Sequence, residues 1–169
     1  MNKSDSERVA GMLEKIGYKL ASKINEADLV VVNMCSVRQS AVDRINGLIL
    51  KIQKIQIANC SDNRAKLVAR HNNKPQTILT GCILEKDKKK FAKYFDYIFN
   101  IKDLSFWSKF FSQKFRDSGC ERNILAKKNN CNYFKVQPKH SFFPLAYVPI
   151  MTGCNNFCSY CAVPYVRGK

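Results

Sequence analysis

Apolar residues at Val9, Met12, Leu13, Ile16 and Leu20 recur at helical spacing, and Ser4 with Glu7 reads as a capping box ahead of them. The chain is therefore predicted to open on an amphipathic helix whose last turn is weakened by Gly17. The pattern then changes. Leu29 to Val32 is an unbroken run of β-branched residues and leucine, as expected for a strand buried on both faces of a parallel sheet, and it ends at Asn33, Met34 and Cys35. A long helix follows, with Val37, Ala41, Ile45, Leu48, Ile49, Ile52 and Ile55 on one face. Ile78 and Leu79 form a second short strand that runs out at Thr80, Gly81 and Cys82. Next come a lysine-rich helix, a third strand at Tyr97 to Ile101, and an aromatic helix over Phe106 to Phe115 with Phe106, Phe110 and Phe111 facing the core.

Strand and helix alternate, so the predicted class is α/β with a mostly parallel, Rossmann-like sheet over residues 1–115. From Arg116 to Phe143 the periodicity fades and polar residues dominate, which reads as a linker. After Pro144 a new strand is expected from Leu145 to Met151, running into a loop at Gly153 and Cys154. Residues 144–169 are too few to bury a core of their own and look like the start of a second, truncated domain. The sheet domain opens on a helix where a strand is normal, so the chain is expected to be a fragment.

Composition narrows the class further. With 46% hydrophobic and 25% charged residues the chain is a folded globular protein, and it has neither a membrane-length apolar run nor a signal-peptide core. A cytoplasmic monomer is the default expectation. Lys and Arg number 29 against 13 Asp and Glu, a net charge of +16, which favours a polyanionic partner such as RNA. A generally lysine-rich composition would give the same excess, and the run Lys86, Lys88, Lys89, Lys90 and Lys93 has the spacing of a solvated helix face. In a reducing compartment, eight cysteines point to metal binding or thiol chemistry rather than disulfides.

Three of the cysteines carry the sharpest signal. Cys154, Cys158 and Cys161 stand in GCNNFCSYC with the spacing C-x3-C-x2-C. Three thiolates on one loop can hold three irons of a 4Fe-4S cubane and leave the fourth free to chelate the amino and carboxylate groups of a methionine-type cosubstrate. Gly153 permits the tight turn, and Tyr160 is placed to lie against an adenine. A zinc site would need a fourth ligand, for which the chain offers only His71 and His140. Cys35 and Cys82 each terminate a strand of the same sheet, whose carboxyl edge is where α/β proteins bind ligands; they could share a metal or be two ordinary buried thiols. Arg167 is as well suited to an anion as to a structural contact.

The segments NMCSVRQSAVDRINGLI, TGC at Thr80 to Cys82 and VPIMTGCNNFCSYCAVPYVRGK together resemble the methylthiotransferases, which are radical S-adenosylmethionine enzymes. SVRQSA after Cys35 looks most like the MiaB-type branch, which modifies tRNA at an isopentenylated adenosine beside the anticodon. The resemblance implies a S-adenosylmethionine-binding 4Fe-4S cluster on Cys154, Cys158 and Cys161, and a second cluster whose ligands include Cys35 and Cys82. The third family ligand would lie just before Met1 and Asn2. It further implies a TIM-like radical barrel after the cysteine loop, cleavage of S-adenosylmethionine to a radical that takes hydrogen from C2 of the adenine, and insertion of sulfur and a methyl group there. An electron donor and a sulfur donor are implied partners. Cys60, Cys120 and Cys131 match no family position and are expected to be structural thiols. Two alternatives remain: a sister branch acting on a ribosomal protein, and a non-catalytic basic metal- or RNA-binding module.

Overall fold

The computed structural model describes residues 2–61, 75–114, 133–140 and 144–168. Its centre is a three-stranded, fully parallel sheet in the order β1 (Leu29–Cys35), β2 (Gln76–Cys82), β3 (Tyr97–Ile98). Among the described residues five α-helices accompany it: α1 (Asn2–Lys15), α2 (Gln39–Ser61), α3 (Glu85–Phe91), α4 (Leu104–Lys114) and α5 (Val163–Arg167). The expected α/β parallel-sheet class is what the chain adopts.

The period-two alternation of the strands sorts their side chains onto two cores. Leu29, Val31, Ile78 and Tyr97 face one layer, where Val9 and Met12 of α1 meet Leu104, Trp107, Phe110 and Phe111 of α4. Val30, Val32, Met34, Leu79 and Ile98 face the other, where Val42, Ile45, Ile49 and Ile52 of α2 meet Phe91 and Phe95. Among the described strands only β2 is buried along nearly its whole length; β1 lies at the edge of the described sheet and stays half-buried at most positions, short of the two-sided burial its sequence predicts. Asp96 pins the start of the β2–β3 pairing, accepting bonds from the Thr77 amide (2.9 Å) and hydroxyl (2.8 Å).

Several local expectations change. Ser4 and Glu7 sit inside α1 and are buried, so they are not its capping box. The helix ends at Lys15 and Leu20 is fully exposed, because Gly17 takes up a φ of +96° that stops the helix one turn early. Val37 precedes α2 and is exposed; the buried stripe is Val42, Ile45, Ile49 and Ile52. β3 stops at Ile98, although the Phe99 amide still bonds the Leu79 carbonyl at 3.0 Å, and Ile101 enters a 3-10 turn. On α4, Trp107 is completely buried and packs tilted against Phe99 (centroids 5.1 Å apart), while Phe106 is only partly buried.

Two findings concern the C-terminal part. Residues 133–140 pack on α1. Tyr133 and Val136 enter the first core, the Arg8 guanidinium bonds the Val136 carbonyl, and the Lys139 amide bonds the Glu7 carbonyl at 2.9 Å. Leu145 to Met151 is not a strand: Leu145 makes an isolated bridge, and Val148 and Ile150 are 79% and 91% exposed. A strand needs a neighbour to pair its N–H and C=O groups, and the described residues offer this stretch no ladder.

Candidate functional site: the carboxyl edge of the sheet

Both sheet cysteines lie at the carboxyl ends of their strands, and Cys35 and Cys82 are direct register partners across β1 and β2. The Ser36 amide continues the ladder by bonding the Cys82 carbonyl at 2.8 Å. The close approach depends on Gly81. It holds a φ of +111°, and a Cβ there would collide with the Met34 backbone and the Asn33 side chain. A side chain at this position would be strained and would push β1 away immediately before the two thiols. Burial raises the Cys82 thiol above its ordinary range, against the lowering pull of the Arg167 guanidinium, which donates from Nε to Cys82 Sγ at 2.8 Å.

Arg167 closes the short helix α5, which packs against β2. It is itself buried and forms an ion pair with the buried Asp5 of α1. Tyr133 donates to the other oxygen of the same carboxylate at 2.6 Å. Desolvation, the bond to Asp5 and the negative charge of Asp5 push the Tyr133 phenol up to about 12. Desolvation alone would lower Arg167, but its contacts with Asp5 and Cys82 outweigh it and raise the guanidinium above its usual value. A polar network therefore runs Tyr133–Asp5–Arg167–Cys82 through the edge of the sheet, tying together α1, β2, α5 and the turn at residues 133–135.

The cysteine loop begins beside this network. The Cys154 amide bonds the Gly168 carbonyl at 3.0 Å, one residue from Arg167, and the Cys161 amide bonds the Cys158 carbonyl at 3.0 Å in a tight turn. Cys154 and Cys161 are half-buried and Cys158 is exposed. Among the described residues no three His, Cys, Asp or Glu side chains converge as a ready-made metal site, and this includes the loop. The donor set nonetheless fits a three-thiolate cluster, since three accessible thiols share one eight-residue loop and metal binding commonly gathers such ligands itself. At the sheet edge two thiols are present among the described residues, one already holding Arg167, so that pair would need further ligands to hold a cluster.

Tyr160 is 90% exposed and touches no described aromatic partner; the ring pair near it is Phe157 with Tyr165, 6.1 Å apart. His140 faces Glu7 at 3.5 Å. His71, Cys120 and Cys131 lie outside the described residues, and Cys60 is on the final turn of α2. Asp5 and Tyr133 went unnoticed in the sequence. Asp5 sits in the middle of the Ser4–Glu7 pattern, and nothing local marks it as the partner of an arginine 162 residues away.

The chain is similar to the tRNA-2-methylthio-N(6)-dimethylallyladenosine synthases of Dictyoglomus thermophilum (32% identical over 177 positions), Desulforamulus reducens (33% over 177) and Caldicellulosiruptor saccharolyticus (33% over 178). Each alignment covers 100% of this chain but only 36%, 35% and 34% of the relative, so the chain spans about a third of their length. No helix among the described residues is long and apolar enough to cross a membrane. Residues 1–101, which contain the whole sheet with Cys35 and Cys82, match a family described as Uncharacterized protein family UPF0004, and the chain belongs to that family.

Proposed function

We propose that this chain is part of a tRNA methylthiotransferase that installs sulfur and a methyl group at C2 of N6-isopentenyladenosine next to the anticodon, using S-adenosylmethionine. The observation that carries the proposal is the placement of the thiols: Cys35 and Cys82 meet at the carboxyl edge of the sheet, and the loop bearing Cys154, Cys158 and Cys161 is fastened to that same edge. The relatives' names supply the reaction class, and a net charge of +16 supports a nucleic-acid substrate.

Cys154, Cys158 and Cys161 would hold a 4Fe-4S cluster, which when bound supplies an electron for reductive cleavage of S-adenosylmethionine. Cys35 and Cys82 would contribute two ligands to a second cluster that serves sulfur insertion. The sheet edge gives these two thiols a fixed separation through their register, and the half-buried setting of Cys35 and Cys154 restricts water without closing the site. Tyr160, exposed at the loop tip, is free to cover the adenine of the cosubstrate.

Anaerobic loading with iron and sulfide tests the assignment. The protein should turn brown, bind iron in excess of one atom per chain, and lose most of it with Cys158→Ser. A colourless product carrying stoichiometric zinc, or iron retained in full by the variant, would sink it.

A further inference from the structure

A guanidinium presents five N–H donors in a rigid fork, so one arginine can hold two acceptors in a fixed relation. Arg167 does this out of water: its side chain is 3% exposed and that of Asp5 is 0% exposed. Its two acceptors belong to elements far apart in the sequence, Asp5 Oδ2 on α1 and Cys82 Sγ at the end of β2. The next residue adds another link, because the Gly168 carbonyl accepts from the Cys154 amide at 3.0 Å. Cys82 and Cys154 are thus joined through one side chain and one peptide. Burying an ion pair costs desolvation that its attraction barely returns, so such a pair is better understood as fixing one arrangement than as a source of stability. The arrangement fixed here is the seating of the cysteine loop against the sheet.

We infer that Arg167 is a positioning residue: by gripping Asp5 and Cys82 together it docks the Cys154–Cys161 loop on the carboxyl edge of the sheet, so that the two thiol sites serve one substrate atom. The role in catalysis rests on the function proposed above, whereas the docking requires no metal. A lysine could keep the charge beside Asp5 but has a single nitrogen, and it cannot span both acceptors in the same geometry. Arg167→Lys should therefore resemble Arg167→Gln rather than the unaltered protein.

The test uses the whole chain, reduced and metal-free, as the unaltered protein and as Arg167→Gln, Arg167→Lys and Asp5→Asn. Amide hydrogen exchange is followed over residues 152–168, the Cys154 amide among them, and over β1 and β2. Exchange over 152–168 should quicken at least about tenfold in all three variants, with the strands still protected. Unchanged exchange over 152–168 overturns the inference. So does loss of strand protection in both the Gln and the Lys variant, since Arg167 would then be part of the core rather than a dock. Loading with iron and sulfide separates this from the functional proposal. If the unaltered protein takes up no iron, the cluster assignment falls while the docking result stands; if the variants keep their iron and only the exchange changes, both hold.

Discussion

Replacing Tyr133 by Phe should cost stability near neutral pH and cost progressively less as the solution becomes alkaline. Tyr133 is buried and donates to Asp5 at 2.6 Å. Burial, that bond and the Asp5 charge raise its phenol from 10.0 to about 12, although the Arg8 guanidinium, 4.9 Å from the ring centre, pulls the other way. The folded chain thus holds this proton more tightly than the unfolded chain does. The contribution is fully present below the unfolded pKa of about 10 and is lost as pH rises through the folded value of about 12. At about 1.4 kcal/mol per pKa unit, this one group should withdraw about 1.4 kcal/mol by pH ~11 and about 2.3 kcal/mol by pH ~12. Below about pH 9 the variant should lose about 1.5–3 kcal/mol, the worth of a hydrogen bond to a buried charged acceptor.

Urea unfolding of the reduced protein at several pH values between about 8 and 11, read by the fluorescence of the sole tryptophan, measures the difference between the two proteins. Tyr18 and Cys82 are also raised, chiefly by burial, and act in the same direction, but they are common to both proteins and cancel in the difference. The gap should shrink by about 1.4 kcal/mol across that range. A gap that stays constant, or a variant as stable as the parent below about pH 9, would refute the Tyr133–Asp5 bond as the cause.

Gly81→Ala should destabilise by about 2–5 kcal/mol, combining a positive φ with a collision against Met34, and an unchanged thermal midpoint would contradict it. Trp107→Ala empties a fully buried site beside Phe99 and should cost about 3–5 kcal/mol by urea unfolding followed by circular dichroism; a loss below about 1 kcal/mol would mean that α4 is not seated there. Gly11 and Gly47 should give opposite signs. A Cβ at Gly11 meets the Gln137 carbonyl and should cost about 1–3 kcal/mol while loosening residues 133–140 in hydrogen exchange, whereas Gly47→Ala in α2 has open space and should stabilise by about 0.5–1 kcal/mol. Equal effects at the two sites would argue against the packing of that segment on α1.

Periodicity located the three strands and made the class legible, because strand and helix spacing are local properties of the chain, while the burial of β1 and the end of β3 were left to the fold. The β-branched run at Leu29 and the Ile78–Leu79 pair mark the two long strands, and the alternation with helices makes the sheet parallel. The cysteines were legible for a similar reason: Cys35 and Cys82 end strands, and in a parallel sheet those ends share an edge. Where the expectations missed, a long-range contact overrode a local pattern. Ser4 and Glu7 look like a cap until α1 starts earlier and buries them. Residues 133–140 look like linker because Tyr133 and Val136 have no periodic neighbours, yet they fill a gap beside α1. Leu145–Met151 has strand composition but no pairing partner, and composition cannot supply hydrogen bonds.

The sequence by itself picked out the candidate thiols, since thiol spacing and strand ends are written along one dimension. Only the tertiary structure decided how the cysteine loop meets the sheet. Asp5, Cys82, Tyr133 and Arg167 lie scattered from one end of the chain to the other, and each alone is an ordinary residue. A buried charge must find its counter-charge wherever the fold brings one, and that pairing depends on distance in space rather than on separation along the chain.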